Sequence, residues 1–132
     1  PRASVTADLQ LHGALDSMDG AETAPSDPLS IYGTDAKEIR KLLDEDETLT
    51  HPIHPKLPYL RAEIIWAVRS EMARTAEDVL ARRTRALFIN AYAAMEASDV
   101  VASIMAFELG RNGVWARETS DAFRKMAQGY LV

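Results

Sequence analysis

The chain has 132 residues, of which 47% are hydrophobic and 27% are charged, so it is long enough to bury one core. It contains no cysteine, which excludes disulfides, thiolate nucleophiles and cysteine zinc sites. Fifteen Lys and Arg face twenty Asp and Glu, and the net charge of −5 argues against a nucleic-acid partner. No apolar run approaches the roughly 20 residues that a transmembrane helix needs.

The first 30 residues favour an extended linker. Residues 20–28 are small, acidic or proline for the most part and have little apolar surface to bury. The chain also begins with Pro1 rather than Met, and we expect it to be a fragment of a longer protein. We therefore predict a linker over residues 1–30 and a helical domain over residues 31–132.

Helical patterns begin at Thr34, which is a suitable N-cap residue. Apolar residues then recur at helical spacing, at Ile39, Leu42 and Leu43. A proline-rich loop follows, with prolines at positions 52, 55 and 58. The sequence therefore predicts a first helix that ends before this loop.

The second predicted helix covers residues 60–72 and has a carboxylate on its apolar face. That face is formed by Leu60, Ile64, Ala67, Val68 and Met72. On a helical wheel of about 100° per residue, Glu71 lies among them. A carboxylate in such a place is costly unless it is paired.

A third helix follows Thr75, for which we predict a capping box with Asp78. Arg83 falls between Val79 and Leu80 in angle, so it also faces the core. We predict a buried structural ion pair between Glu71 and Arg83, in which loss of either side chain costs about 3 kcal/mol. The alternative is that these charges belong to a domain interface or an active-site rim.

The remaining sequence predicts two or three more helices. Residues 85–96 are apolar on nearly all sides, which indicates a central buried helix, and the core continues through Phe107. Gly110 is a suitable residue to end that helix. In the last helix an aromatic stripe, Trp115, Phe123 and Tyr130, indicates core packing or, alternatively, a docking face for an absent domain. The predicted class is all-α, with about five to six helices preceded by an extended linker.

No constellation of residues predicts chemistry in this chain. His51 and His54 are three residues apart, but prolines flank them and no third ligand is evident, so we interpret them as part of a stiff turn. The sequence has no Gly-x-Gly-x-x-Gly and no Walker loop. We therefore predict no catalytic, cofactor-binding or metal-binding residue.

The order of several short motifs resembles a known family. Tyr32-Gly33 precedes a short acidic helix, and the run from Tyr59 to Ile64 opens the next one. Asp78-Val79-Leu80, Arg82-Arg83-Thr84-Arg85, an alanine-rich helix pair and a last helix ending in Tyr130-Leu131 follow. This order resembles the C-terminal domain of FAD-dependent, quinone-linked glycerol-3-phosphate dehydrogenases and the related alpha-glycerophosphate oxidases. The resemblance covers residues 5–132 and is strongest over residues 59–94.

The resemblance implies a reaction for a whole enzyme. That enzyme would oxidise glycerol 3-phosphate to dihydroxyacetone phosphate, with hydride transfer to FAD and electron transfer to quinone, or to oxygen in the oxidases. FAD and the catalytic residues would belong to an N-terminal flavin domain, so the fragment alone is expected to bind no cofactor and to be inactive. No phosphate-binding role for Arg82, Arg83 or Arg85 follows from it.

The resemblance also implies partners and a location. The first partner would be the flavin domain of the same chain, and a homodimer and a quinone-containing membrane are others that the family allows. The expected location is cytoplasmic, with the whole enzyme peripheral on the inner membrane face. The alternative hypothesis is an independent helical domain with a protein-interaction or regulatory role.

Overall fold

The computed structural model describes residue 13 and residues 27–131. Most of the predicted linker therefore lies outside the described residues. Contacts divide the chain into two units, Pro1–Lys41 and Leu42–Val132, which are described separately below. The boundary that we expected near residue 31 stays a prediction.

In the first unit, a 3-10 helix (Pro28–Asp35) leads into helix α1 (Ala36–Glu45), whose last turn belongs to the second unit. Asp27 caps the 3-10 helix, because its carboxylate accepts the Leu29 N–H at 2.9 Å and also pairs with Arg40. Helix α1 starts at Ala36, two residues beyond the predicted N-cap Thr34, which lies inside the 3-10 helix.

A glycine is required within this 3-10 segment. Gly33 has a positive φ of 53°, and a Cβ at this position would lie 2.1 Å from the carbonyl oxygen of Gly13. A non-glycine side chain would therefore be strained both by its backbone conformation and by this close approach.

The second unit is built from four α-helices and one π-helix. These are α2 (Arg61–Ser70), the π-helix (Asp78–Arg83), α3 (Ala86–Ile89), α4 (Ala91–Glu108) and α5 (Gly113–Ala127). Short 3-10 helices at Glu47–Thr50 and Gln128–Tyr130 complete it. Across residues 27–131 the extended pairing is limited to an isolated bridge between Pro52 and Leu60, so the predicted all-α class is confirmed.

Helix α4 is the centre of the second unit, since it contacts α2, α3, α5 and the π-helix. The core side chains come from all of these elements and include Ile64, Leu80, Val101, Met105 and Phe123, each at most 1% exposed. Within the described part of the chain, no helix is both long enough and apolar enough to cross a membrane.

A polar network joins α4 to α5. The hydroxyls of Ser98 and Ser120 lie 2.8 Å apart in the core, and Ser120 also donates to Asp99 Oδ1 at 2.6 Å. Arg124 pairs with the other carboxylate oxygen of Asp99 and donates to the carbonyl oxygen of Met95 at 3.3 Å. Because each group has a partner, the network sets the register of these two helices without stranding a buried hydroxyl.

The predicted central helix over residues 85–96 is wrong. Asn90 is extended, with φ −157° and ψ 96°, and its side chain accepts the Ala93 N–H at 3.0 Å, so it ends α3 and caps α4. Phe88, Ile89 and Tyr92 consequently lie outside the core, at 57%, 58% and 63% exposed. Phe107, which we also assigned to the core, is 86% exposed.

The turn between α4 and α5 was predicted correctly. Gly110 has a φ of 62°, the left-handed conformation that commonly follows a helix. Asn112 then caps α5, since its Oδ1 accepts the Trp115 N–H at 3.0 Å. Of the predicted aromatic stripe, Phe123 on α5 is buried, whereas Tyr130 in the C-terminal 3-10 helix is 51% exposed.

Candidate functional site

The start of α2 contains a buried carboxylate that sequence analysis missed. Glu63 is 1% exposed, and its Oε1 accepts the Leu60 N–H at 2.6 Å. This contact satisfies a backbone donor at the helix N-terminus, where the helix dipole also favours negative charge. The available signal was a Glu three residues after the N-cap position, but Leu60 has no capping side chain and so concealed it.

Tyr59 lies within electrostatic reach of two charged residues. Its side chain is almost fully buried, and burial raises the pKa of the phenol. The negative charge of Glu63 raises that pKa further, while the positive charge of Arg85 opposes the change. The Tyr59 phenol is therefore neutral at physiological pH.

The predicted capping box at Thr75 is confirmed. The Thr75 N–H donates to Asp78 Oδ2 at 2.9 Å, and the Asp78 N–H donates to the Thr75 hydroxyl at 3.2 Å. Arg82 pairs with Asp78 and with Glu77, whose Oε1 lies 2.5 Å away. This first arginine of the Arg-Arg-Thr segment points away from the core, with its side chain 57% exposed.

The structure brings Glu71 and Arg83 together, but not in the core. Arg83 Nε lies 3.6 Å from Glu71 Oε2, and an Arg83 terminal nitrogen donates to the Glu71 carbonyl oxygen at 2.6 Å. The side chains are 43% exposed for Arg83 and 29% exposed for Glu71. The predicted burial is therefore wrong, and the helix-fixing role of the pair stays a proposal.

The burial prediction failed because neither residue lies on the assumed helical wheel. Helix α2 ends at Ser70, and Met72 has a left-handed φ of 60°, so Glu71 follows the helix rather than belonging to it. Arg83 closes a π-helix, in which i→i+5 hydrogen bonds wind more residues into each turn than an α-helix does. A wheel of about 100° per residue therefore misplaces both side chains.

The π-helix ends at a buried threonine and a strained arginine. Thr84 is 4% exposed, and its hydroxyl donates to the Val79 carbonyl oxygen at 2.9 Å. Arg85 has a left-handed φ of 59°, a conformation that is costly for a residue other than glycine. Its guanidinium carbon lies 6.0 Å from the ring centroid of Phe88, within cation–π range.

An exposed apolar surface adjoins Arg85. It consists of Phe88, Ile89, Tyr92 and Tyr130, each more than half exposed, and is called here the Phe88 surface. The rings of Phe88 and Tyr130 meet edge to face with centroids 5.7 Å apart and an interplanar angle of 83°. This contact joins the C-terminal 3-10 helix to α3.

A separate groove of about 440 Å³ lies between the end of α1, α2 and α4. Its apolar lining is Leu42, Leu49, Ile65, Ile104 and Phe107. Arg69 and Glu108 form a two-point ion pair in it, with Nε–Oε2 at 2.7 Å and a terminal nitrogen 3.0 Å from Oε1. Because these charges satisfy each other, they do not by themselves indicate a ligand.

The two histidines have separate partners. His54 Nε2 lies 2.8 Å from Glu96 Oε2, and its Nδ1 accepts the Lys56 N–H at 3.1 Å. His51 Nδ1 lies 3.1 Å from the carbonyl oxygen of Thr48. Over the described residues, no three His, Cys, Asp or Glu side chains come together as a set of metal ligands.

Comparison with known proteins places the chain in a family. A sequence model described as the C-terminal domain of alpha-glycerophosphate oxidase matches residues 4–119. The chain belongs to this family. The helical domain described above therefore corresponds to the C-terminal domain of that family.

Curated relatives of this C-terminal domain are named as dehydrogenases. A probable mitochondrial glycerol-3-phosphate dehydrogenase of Caenorhabditis elegans is 53% identical over 58 residues, which is 44% of this chain and 8% of that protein. The Dictyostelium discoideum protein of the same name is 34% identical over 100 residues, covering 76% of this chain and 15% of that protein. The human mitochondrial glycerol-3-phosphate dehydrogenase is 36% identical over 100 residues, covering 73% of this chain and 14% of that protein.

The chain thus spans about a seventh or less of the length of these relatives. No solved structure matches it.

Proposed function

We propose that this chain is the C-terminal helical domain of an FAD-dependent glycerol-3-phosphate dehydrogenase. The observation that supports this is the family match over residues 4–119, together with relatives that extend far beyond the matched region. The whole enzyme would convert glycerol 3-phosphate to dihydroxyacetone phosphate, with quinone as the electron acceptor. The helical domain would contribute structure rather than reacting groups.

The described residues do not fit an FAD site of the usual kind. Dinucleotides are commonly held where a strand passes through a glycine-rich loop into a helix, with the pyrophosphate at the helix N-terminus. Residues 27–131 form helices and loops, and their extended pairing is the single Pro52–Leu60 bridge. FAD would supply the redox chemistry of the reaction, and we propose that residues N-terminal to this chain would hold it.

The location of the whole enzyme is proposed on the same basis. We expect the whole enzyme to be cytoplasmic and peripheral on the inner membrane face, although several relatives have "mitochondrial" in their names. Detection of the full-length protein in separated cytosolic, mitochondrial and membrane fractions would distinguish these locations.

A pair of assays tests the proposed activity. Full-length protein purified with its flavin should reduce an acceptor dye when glycerol 3-phosphate is added, and it should reduce a soluble quinone as well. The 132-residue chain incubated with FAD and the same substrate should give the rate of the blank, because it lacks the residues that hold the flavin. Full-length flavoprotein that shows no turnover with glycerol 3-phosphate, or turnover by the isolated chain, would contradict the proposal.

A further inference from the structure

The Phe88 surface exposes four large apolar side chains of the second unit to solvent. Phe88, Ile89, Tyr92 and Tyr130 are 57%, 58%, 63% and 51% exposed. Three of them lie within five residues, and the fourth meets Phe88 by ring contact. Soluble monomers rarely expose several large apolar side chains so close together, and such clusters mark interaction sites.

Arg85 adds a positive charge to the edge of this surface. Its neighbours in the sequence both form ion pairs. Arg82 pairs with Asp78 and Glu77, and Arg83 pairs with Glu71. Over the described residues, Arg85 is in no ion pair; its guanidinium lies over Phe88. A positive φ at an exposed arginine is a strained arrangement of the kind that clusters at functional sites. Phenylalanine, tyrosine and arginine are also the residues enriched at the centres of protein interfaces.

We propose that the Phe88 surface is the face on which the N-terminal part of the full-length protein docks, with an acidic side chain of that part paired with Arg85. This inference rests on the proposed function only in assuming that such an N-terminal part exists. The chain spans 15% of the Dictyostelium relative and 14% of the human one, so a protein of their length would have most of its residues outside this structure. If the same polypeptide always covers this surface, aromatic side chains on it are not exposed to water in the full-length protein.

Two other occupants fit the charges less well. A symmetric contact with a second copy would bring two Phe88 surfaces together, and with them two Arg85 guanidinium groups that have no ion pair among the described residues. A membrane surface with anionic lipids favours clustered basic residues, whereas this chain has a net charge of −5.

Hydroxyl-radical footprinting of the full-length protein tests the proposal directly. Phe88 and Phe107 are chemically identical and are 57% and 86% exposed in the chain, a ratio of about 1.5. If the Phe88 surface is covered, Phe88 should be modified several-fold more slowly than Phe107, well beyond that ratio. Modification in proportion to those exposures would overturn the proposal, and so would protection that disappears on dilution, because that would identify a second copy as the occupant.

A matched pair of variants in the full-length protein extends the test. Tyr92→Ser removes a side chain of the surface that makes no ring contact with another described residue. Phe107→Ser removes an aromatic side chain elsewhere on α4. Tyr92→Ser should make Phe88 several-fold more reactive towards hydroxyl radicals. Calorimetry of this variant should also show an additional unfolding transition at a lower temperature. Phe107→Ser should do neither, and equal effects of the two variants would argue against docking at this face.

The outcome for docking can be separated from that for the proposed activity. Protection of Phe88 in a protein that does not oxidise glycerol 3-phosphate would support the docking surface while the dehydrogenase assignment fails. Turnover by a protein in which Phe88 is fully reactive would overturn the docking surface alone.

Discussion

At the scale of single residues, the environment of a charge decides its contribution to stability. Glu63 is buried at a helix N-terminus and accepts a backbone N–H, so its removal would take away the acceptor of the partly buried Leu60 N–H. Glu71 was expected to be the buried carboxylate, but its side chain is 29% exposed and its Oε2 lies 3.6 Å from Arg83 Nε. An ion pair between partly exposed side chains contributes on the order of 0–1 kcal/mol.

We predict different losses for the two members of this pair. Glu71→Ala should lower the free energy of unfolding by less than about 1 kcal/mol, because the pair is exposed to solvent. Arg83→Ala should cost more, about 1–2 kcal/mol, because it also removes the hydrogen bond from Arg83 to the Glu71 carbonyl oxygen. Thermal unfolding of both variants and of the double variant gives the coupling free energy. A coupling near about 3 kcal/mol would indicate the buried pair that the helical wheel suggested.

At the scale of elements, short side chains decide where helices end and how they pair. Asn90 interrupts an apolar run that otherwise reads as one helix, because its side chain satisfies the first free N–H groups of α4. The α4–α5 pair is then held by Ser98, Ser120, Asp99 and Arg124 in addition to apolar contacts.

The Asp99 carboxylate should make this helix pair sensitive to acid. The hydrogen bond from Arg124, followed by the one from Ser120, holds the pKa of Asp99 below its usual range. The unfolded chain therefore binds the proton more readily, so the stabilisation by Asp99 is complete above the unfolded pKa of about 3.9 and is lost as pH falls through the folded pKa. The difference in unfolding free energy between wild type and Asp99→Asn should be largest above about pH 5 and should shrink towards about pH 2.

Asp121 provides the control for this acid dependence. Its Oδ1 lies 3.5 Å from a terminal nitrogen of Arg124, and its side chain is 75% exposed. Asp121→Asn should therefore change the pH dependence of the unfolding free energy much less. Denaturant titrations at a series of pH values measure both variants. A difference for Asp99→Asn that grows on acidification would show that the sign of this linkage is wrong.

At the scale of the whole molecule, apolar side chains of the same type have opposite roles according to where the fold places them. Phe123 is 1% exposed in the core of the second unit, whereas Phe107 is 86% exposed on α4. Both belong to apolar stripes in the sequence. The free-energy cost of truncating each ring should therefore follow its burial rather than its residue type.

We predict that Phe123→Ala lowers the free energy of unfolding by about 3–5 kcal/mol, because it leaves a cavity in a close-packed core. Phe107→Ala should change it by no more than about 0.5 kcal/mol, as expected for a surface substitution. Urea unfolding followed by circular dichroism compares the two directly. Similar losses for both variants would mean that Phe107 is packed in the core of the second unit, as Phe123 is.

Several features of this fold were predictable because a local rule is sufficient for them. The capping box at Thr75 and Asp78 depends on residues three positions apart, and Gly110 supplies a left-handed turn at no steric cost. The π-helix was not predictable, since its wider turn has no simple apolar period and depends on how Val79, Leu80 and Thr84 pack.

The sequence alone determined the all-α class, the stripes that form most of the core and the membership of a family, because apolar periodicity and short motifs are local properties of the chain. The tertiary structure alone decided which charged and apolar residues are buried. Glu63 lies inside while Glu71 and Arg83 lie outside, and the Phe88 surface remains exposed although its composition is that of a core. Burial depends on where neighbouring helices end and on what packs over them, and a helical wheel contains neither.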